Sequence, residues 1–262
     1  MRGLKTNRIA GVIFITCFIF SFHLGLADET CLFTTDGGAY TFTAPIVPVS
    51  GSTSSNRVYL TFFYPAEGNF WAGNVVKLGI SANGDIVDAN GAIATWPNGS
   101  IKEGAVPFWA TLEWADPTKS NYIYNPHRNI YTYLGASTDL TNPANAFTKD
   151  NLDLTLSVLG NPTHTASELI DYIRGADVFD ENGNSDTAEN RTVITGDVQH
   201  SEPLVIDYED SLRVVYYGAN DGMLHAVLDP EIDPDGNEDD CGTEAWAFIP
   251  PDQLHKLKDI IE

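Results

Sequence analysis

The stretch "RVVYYGANDGMLHAVLD", Arg213 to Asp229, restricts the fold of this chain more than any other. Val214 to Tyr217 are β-branched or aromatic, Asp221-Gly222 is a turn signal, and Met223 to Leu228 is apolar again except for His225. A run of this kind reads as an antiparallel hairpin, because the turn residues stand between two segments that both favour extended backbone. His225 alternates within its strand, which points to a packed side chain rather than a catalytic base.

Strand signals continue on both sides, near Pro203 to Tyr208 and Glu244 to Ile249. Four short antiparallel strands in succession make up one blade of a β-propeller, with the hairpin as its innermost part. Pro250-Pro251 then opens a final helix whose Leu254, Leu257 and Ile261 share a face. An earlier helix is expected where Thr165 or Ser167 can cap the start. Its Leu169, Ile170 and Ile173 line one side, and Gly175 suits the left-handed C-terminal position.

Upstream, "RVYLTFFYPAEGNFWAGNVVKLGISANGDIVDANG" combines aromatic clusters with a Val76, Leu78, Ile80 alternation that ends at Asn83-Gly84, a strong hairpin cue. Trp96, Trp109, Trp114 and a further strand in "RNIYTYLG", Arg128 to Gly135, extend this β-rich region, where large rings serve the core. Asp28 to Asn56 is rich in Thr, Ser, Gly and Pro and reads as an exposed lead-in with one short strand around Tyr40 to Phe42. The expected fold class is therefore mainly β. The expected organisation is a leader over 1–27, a flexible lead-in over 28–56, a β-rich region over 57–164, and a helix, an acidic loop and the start of a propeller over 165–262.

Arg2, Lys5 and Arg8 precede an apolar run from Ile9 to Phe22, followed by Gly25-Leu26-Ala27, the pattern of a secretory signal peptide. The run is shorter than the roughly 20 residues of a membrane span, so the mature chain is expected to have no transmembrane segment. Its removal takes three of the 14 basic residues and none of the 36 acidic ones, leaving a net charge of −25. Such a surface excludes nucleic acid as a partner, since phosphate binding needs cations. Cys17 leaves with the leader; an oxidising compartment permits a Cys31–Cys241 disulfide, and the spacing decides neither for nor against it.

Two acidic loops have the oxygen-rich composition of calcium sites. "EIDPDGNEDD" offers Glu231, Asp233, Asp235, Asn237 and Asp239 around Gly236, and "DENGNSD" offers Asp180, Asn182, Asn184 and Asp186. Neither matches the EF-hand spacing, and a solvated charged loop is the competing reading for both. No metal-ligand histidine spacing, phosphate loop, dinucleotide fingerprint or nucleophile elbow is present, so the sequence does not read as an enzyme.

Ala226 and Asp229, followed by Gly242, Glu244 and Trp246, resemble the repeat of quinoprotein-type propellers, with an acidic insertion over 230–240. Taken with "GDVQHSEPLVIDY" and "EAWAFIPPDQLHKL", the hairpin is similar to the opening of the propeller domain in the PilC/PilY family of type IV pilus tip-associated adhesins and biogenesis factors. "DYIRGADVFDENGN" and the β-rich stretch above are similar to the region before that propeller, so the resemblance runs from Asn56 to Glu262.

The resemblance implies a non-enzymatic, exported factor at the cell surface, on the pilus or at the outer membrane. Its partners would be pilus subunits or minor pilins and host or abiotic surfaces. It makes His200, Gly218, Asp221, Gly222 and Trp246 structural residues of the propeller start, with His200 hydrogen-bonding there. The family's own calcium loop lies further along the propeller, and many members carry a von Willebrand A-like domain for which 28–56 leaves no room. The alternatives are a quinoprotein dehydrogenase, which needs many blades around its cofactor, and a truncated product without independent function.

Overall fold

The computed structural model describes residues 40–41, 56–64, 72–97, 101–102, 104–111, 128–135, 137–181, 183–191, 194–208, 212–229 and 241–261. The leader, Cys31, Trp114, most of the 28–56 lead-in, Asn182 and the 231–239 loop lie outside these residues. The described residues are mainly β and form two five-stranded open sheets with one short α-helix and 3-10 turns.

The first sheet holds β1 (Tyr40–Thr41), β2 (Arg57–Tyr64), β3 (Ala72–Ile80) and β4 (Ile86–Val87) in sequence order, with β5 (Trp109–Ala110) also paired to β3. All these pairings are antiparallel. The β3–β4 turn forms at Asn83-Gly84, where Gly84 takes a φ of +88° that a side chain would resist. Strand β3 departs from a half-buried alternation because both of its faces are covered. Val76 and Leu78 pack with Val58, Leu60 and Phe62, while Val75 and Lys77 face the second sheet.

The second sheet has the order β6 (Ile130–Tyr131), β10 (Glu244–Phe248), β9 (Leu224–Leu228), β8 (Arg213–Gly218), β7 (Leu204–Asp207). Strands β7 to β10 form the expected antiparallel meander. The hairpin β8–β9 lies in the middle of the sheet and β7 is at one edge, so the hairpin is not its terminal pair. Its turn spans Asn220–Gly222, with Gly222 at φ +83° and Ala219 N–H donating to Met223 O at 3.0 Å. The strand expected within 128–135 shortens to β6, which joins β10 in parallel.

Helix α1 (Ala166–Ile173) begins with Thr165 as its cap. The Thr165 hydroxyl accepts from Glu168 N–H, and the Glu168 carboxylate accepts from Thr165 N–H at 2.9 Å, which satisfies donors the helix leaves open. Leu169, Ile170 and Ile173 are buried as the spacing predicts, and Gly175 adopts φ +108°. The C-terminal helix is a 3-10 helix over Leu254–Ile260, and its buried Leu254 and Leu257 are three residues apart, the repeat of that geometry. These helices and Phe147, Leu154 and Leu159 cover Ala247 of β10 and the flanking Met223 and Ile249.

The two sheets meet through Tyr59, Val75 and Trp109 on one side and Val215, Tyr217 and Val227 on the other. Beside this cluster the backbones themselves touch, where Gly73 N–H donates to Thr195 O at 3.0 Å, and Gly196 N–H next to it donates to the side-chain carboxylate of Asp221, at 3.0 Å from Oδ2. Among the described residues no helix is long and apolar enough to cross a membrane.

Candidate functional site

Asp229 directly follows β9, inside the joint between the sheets, and is fully buried. Its Oδ1 accepts from Lys77 Nζ at 2.5 Å and from Trp109 Nε1 at 2.8 Å, and its Oδ2 accepts from the Tyr59 hydroxyl. All three donors come from the first sheet: Tyr59 from β2, Lys77 from β3 and Trp109 from β5. Burial and the adjacent carboxylate hold the Tyr59 phenol well above its ordinary pKa, so it stays a donor. Asp229 N–H donates to Arg213 O at 2.9 Å, and the buried Arg213 guanidinium pairs with Asp207 at 2.5 Å.

A second buried cluster lies on the same sheet. His225 is fully buried, with Nδ1 2.8 Å from Glu244 Oε1 and Nε2 3.0 Å from Asp221 Oδ2. Both ring nitrogens therefore face carboxylate oxygens, and only the imidazolium can donate to both. Although burial opposes the charge, Asp221 and Glu244 together raise the His225 pKa to about 9. Arg128 reaches Glu244 with two nitrogens, at 2.6 and 2.9 Å. Burial alone would raise the Glu244 pKa, but Arg128 and His225 outweigh it and pull it down to about 2. Asp221 is held low by His225, and its oxygens also accept from Gly196 and Met223 N–H. Tyr217 stacks on the imidazole at 4.8 Å. Two cations and two carboxylates thus balance inside the core.

These clusters do structural work at the sites where sequence reasoning placed repeat residues. Asp221 and Gly222 form the hairpin turn, and Gly218 N–H donates to Ser201 Oγ at 2.9 Å. Trp246 stands opposite Ala226, its ring 5.8 Å from that of Tyr216. His200 is exposed, and hydrogen bonding at this lead-in comes from its neighbours: Asp197 accepts from Asn220 Nδ2 at 2.7 Å, and Ser201 accepts from Gly218. His225 is packed, as its alternation predicts.

In the "DENGNSD" loop the described Asp180, Asn184 and Asp186 side-chain oxygens accept from local backbone N–H groups. Asp180 accepts from Ser185 N–H at 3.0 Å, Asn184 from Asp186 N–H at 2.7 Å, and Asp186 from Ala188 N–H at 2.9 Å. Among the described residues no three His, Cys, Asp or Glu side chains are grouped as metal ligands would be. Cys241 is half-buried against the cluster between the sheets.

Lys77, Arg128 and Tyr59 were not singled out by sequence reasoning. The available signal was a charge inside an apolar strand, as in Lys77 of "NVVKLGI", which requires a buried counter-charge. A shallow cleft of about 300 Å³ lies between the Asn220–Gly222 turn and Gln253, Lys256, Leu257, Asp259 and Ile260. His225 is fully buried and does not line this cleft, whereas its partner Asp221 does. No protein-family model, curated protein or solved structure matches the chain.

Proposed function

We propose that this chain is a non-enzymatic type IV pilus biogenesis and tip-associated adhesion factor, exported by its leader, with β7 to β10 as the first blade of a quinoprotein-like propeller. One observation carries the reading: the repeat residues Ala226, Asp229, Gly242 and Trp246 converge in a single antiparallel meander. Ala226 and Trp246 are register partners, Asp229 directly follows β9, and Gly242 makes the turn before β10 at φ +83°. The sheet face bearing Leu204, Tyr216, Leu224, Trp246 and Phe248 supports it further. None of these five joins a hydrophobic cluster of the described residues, and Leu204 is 58% exposed, as suits a surface against which a neighbouring blade packs.

In this reading the partners are pilus subunits or minor pilins and a host or abiotic surface, at the cell surface or outer membrane. Calcium bound by Glu231, Asp233, Asp235, Asn237 and Asp239 would modulate the fold by offsetting the repulsion among neighbouring carboxylates. The test is deletion of the gene in its own organism, with counts of surface pili and of attached cells, and complementation by the intact gene. Loss of both, restored on complementation, is expected; unchanged piliation and attachment would overturn the reading.

A further inference from the structure

We propose that Lys77 and Asp229 condense into an intramolecular isopeptide bond, a covalent tie between the first sheet and the meander. The inference rests on the joint's geometry and is independent of the pilus reading. Lys77 Nζ lies 2.5 Å from Asp229 Oδ1, the two residues are 152 positions apart in sequence, and their side chains are 10% and 0% exposed. Two chain segments are thus held in reactive contact where water is excluded, and such positioning replaces the entropy cost of a bimolecular encounter. Val75, Val215 and Val227 line the same joint.

The surroundings also suit the reaction. Proton transfer from Nζ to the carboxylate leaves a neutral amine beside a neutral acid. The nitrogen lone pair then attacks Cγ, a C–N bond forms, and the C=O electron pair moves to oxygen. Trp109 Nε1–H and the Tyr59 hydroxyl already donate to the two oxygens of this carboxyl group, one to each, and they stabilise the charge that develops there. The C–O bond breaks, and the hydroxyl departs with a proton from nitrogen as one water. Nothing is oxidised or reduced and no co-reactant is needed. The product replaces a buried ion pair with a neutral amide, which costs less to keep away from water.

The experiment is intact-mass spectrometry of the purified, folded chain, with its N-terminus determined in the same preparation. The expected mass is one water below that of the sequence, and proteolysis should release a branched peptide joining the Lys77 and Asp229 segments. In Lys77→Arg the full mass should return, and in Asp229→Asn the lost molecule should be ammonia in place of water. A wild-type chain at full mass overturns the proposal without reference to any variant. So does a one-water deficit that persists in Lys77→Arg, the result that a succinimide at an Asp-Gly pair would give.

Discussion

Gly73 and Gly196 are in backbone contact across the joint between the two sheets: a Cβ on Gly73 would stand 2.0 Å from the carbonyl oxygen of Gly196. A Cβ on Gly196 would in turn stand 2.4 Å from Asp221 N. Backbone occupies the space on both sides, so no flexible side chain can swing away to make room. Gly73→Ala and Gly196→Ala are each expected to destabilise the protein by about 3 kcal/mol, the upper range for overpacking. Urea unfolding monitored by Trp fluorescence checks this, and an unchanged midpoint for either variant would refute the contact.

The His225 cluster predicts a stability optimum bounded on both sides. The His225 pKa is raised from 6.5 to about 9 in the folded state, so its contribution is complete below about 6.5 and is lost as pH rises through about 9. The Glu244 pKa is lowered from 4.5 to about 2, so its contribution is present above about 4.5 and is lost as pH falls toward 2. The unfolding midpoint should therefore be nearly flat from about pH 5 to 6.5 and decline beyond both limits. His225→Gln should lower the plateau and remove most of the alkaline slope; an alkaline slope equal to wild type would show that another group titrates there.

How far the sequence is legible follows from the range of the forces involved. The meander from Leu204 to Phe248 and the Thr165 cap are readable because turn residues, alternation and capping act over a few neighbouring positions. The parallel addition of Ile130–Tyr131 to Ala247–Phe248 is not, because the partners lie 247 − 130 = 117 residues apart and leave no local trace. Separations of 116 and 152 positions likewise hide Arg128 from Glu244 and Lys77 from Asp229: each charge is visible in its own segment, but its partner is chosen by the fold. The final helix illustrates a smaller gap, since Leu254 and Leu257 fit either helical repeat and only tertiary packing selects the 3-10 form.

Thr165→Ala should destabilise the protein by about 1 kcal/mol, because it removes the side-chain acceptor for Glu168 N–H and one half of the reciprocal capping pair. Thr165→Ser keeps the oxygen and should remain within a few tenths of a kcal/mol of wild type. Thermal unfolding of the three proteins under one condition makes the comparison. Equal midpoints for the Ala and Ser variants would mean that helix α1 is held by its buried Leu169, Ile170 and Ile173 alone.

Charge balance in the buried quartet leads to a less obvious expectation for Arg128. With Arg128→Met, the two carboxylates of Asp221 and Glu244 face a single imidazolium, and one negative charge is left buried without compensation. Breaking a buried pair in this way costs about 3 to 5 kcal/mol. Arg128→Met combined with Glu244→Gln leaves one cation and one carboxylate, His225 and Asp221 at 3.0 Å, so the imbalance disappears even though more polar contacts have been removed. The double variant should therefore be more stable than Arg128→Met alone, a positive coupling that a double-mutant cycle measures directly. If the two losses simply add, Arg128 and Glu244 act independently and the quartet is not an electrostatic unit.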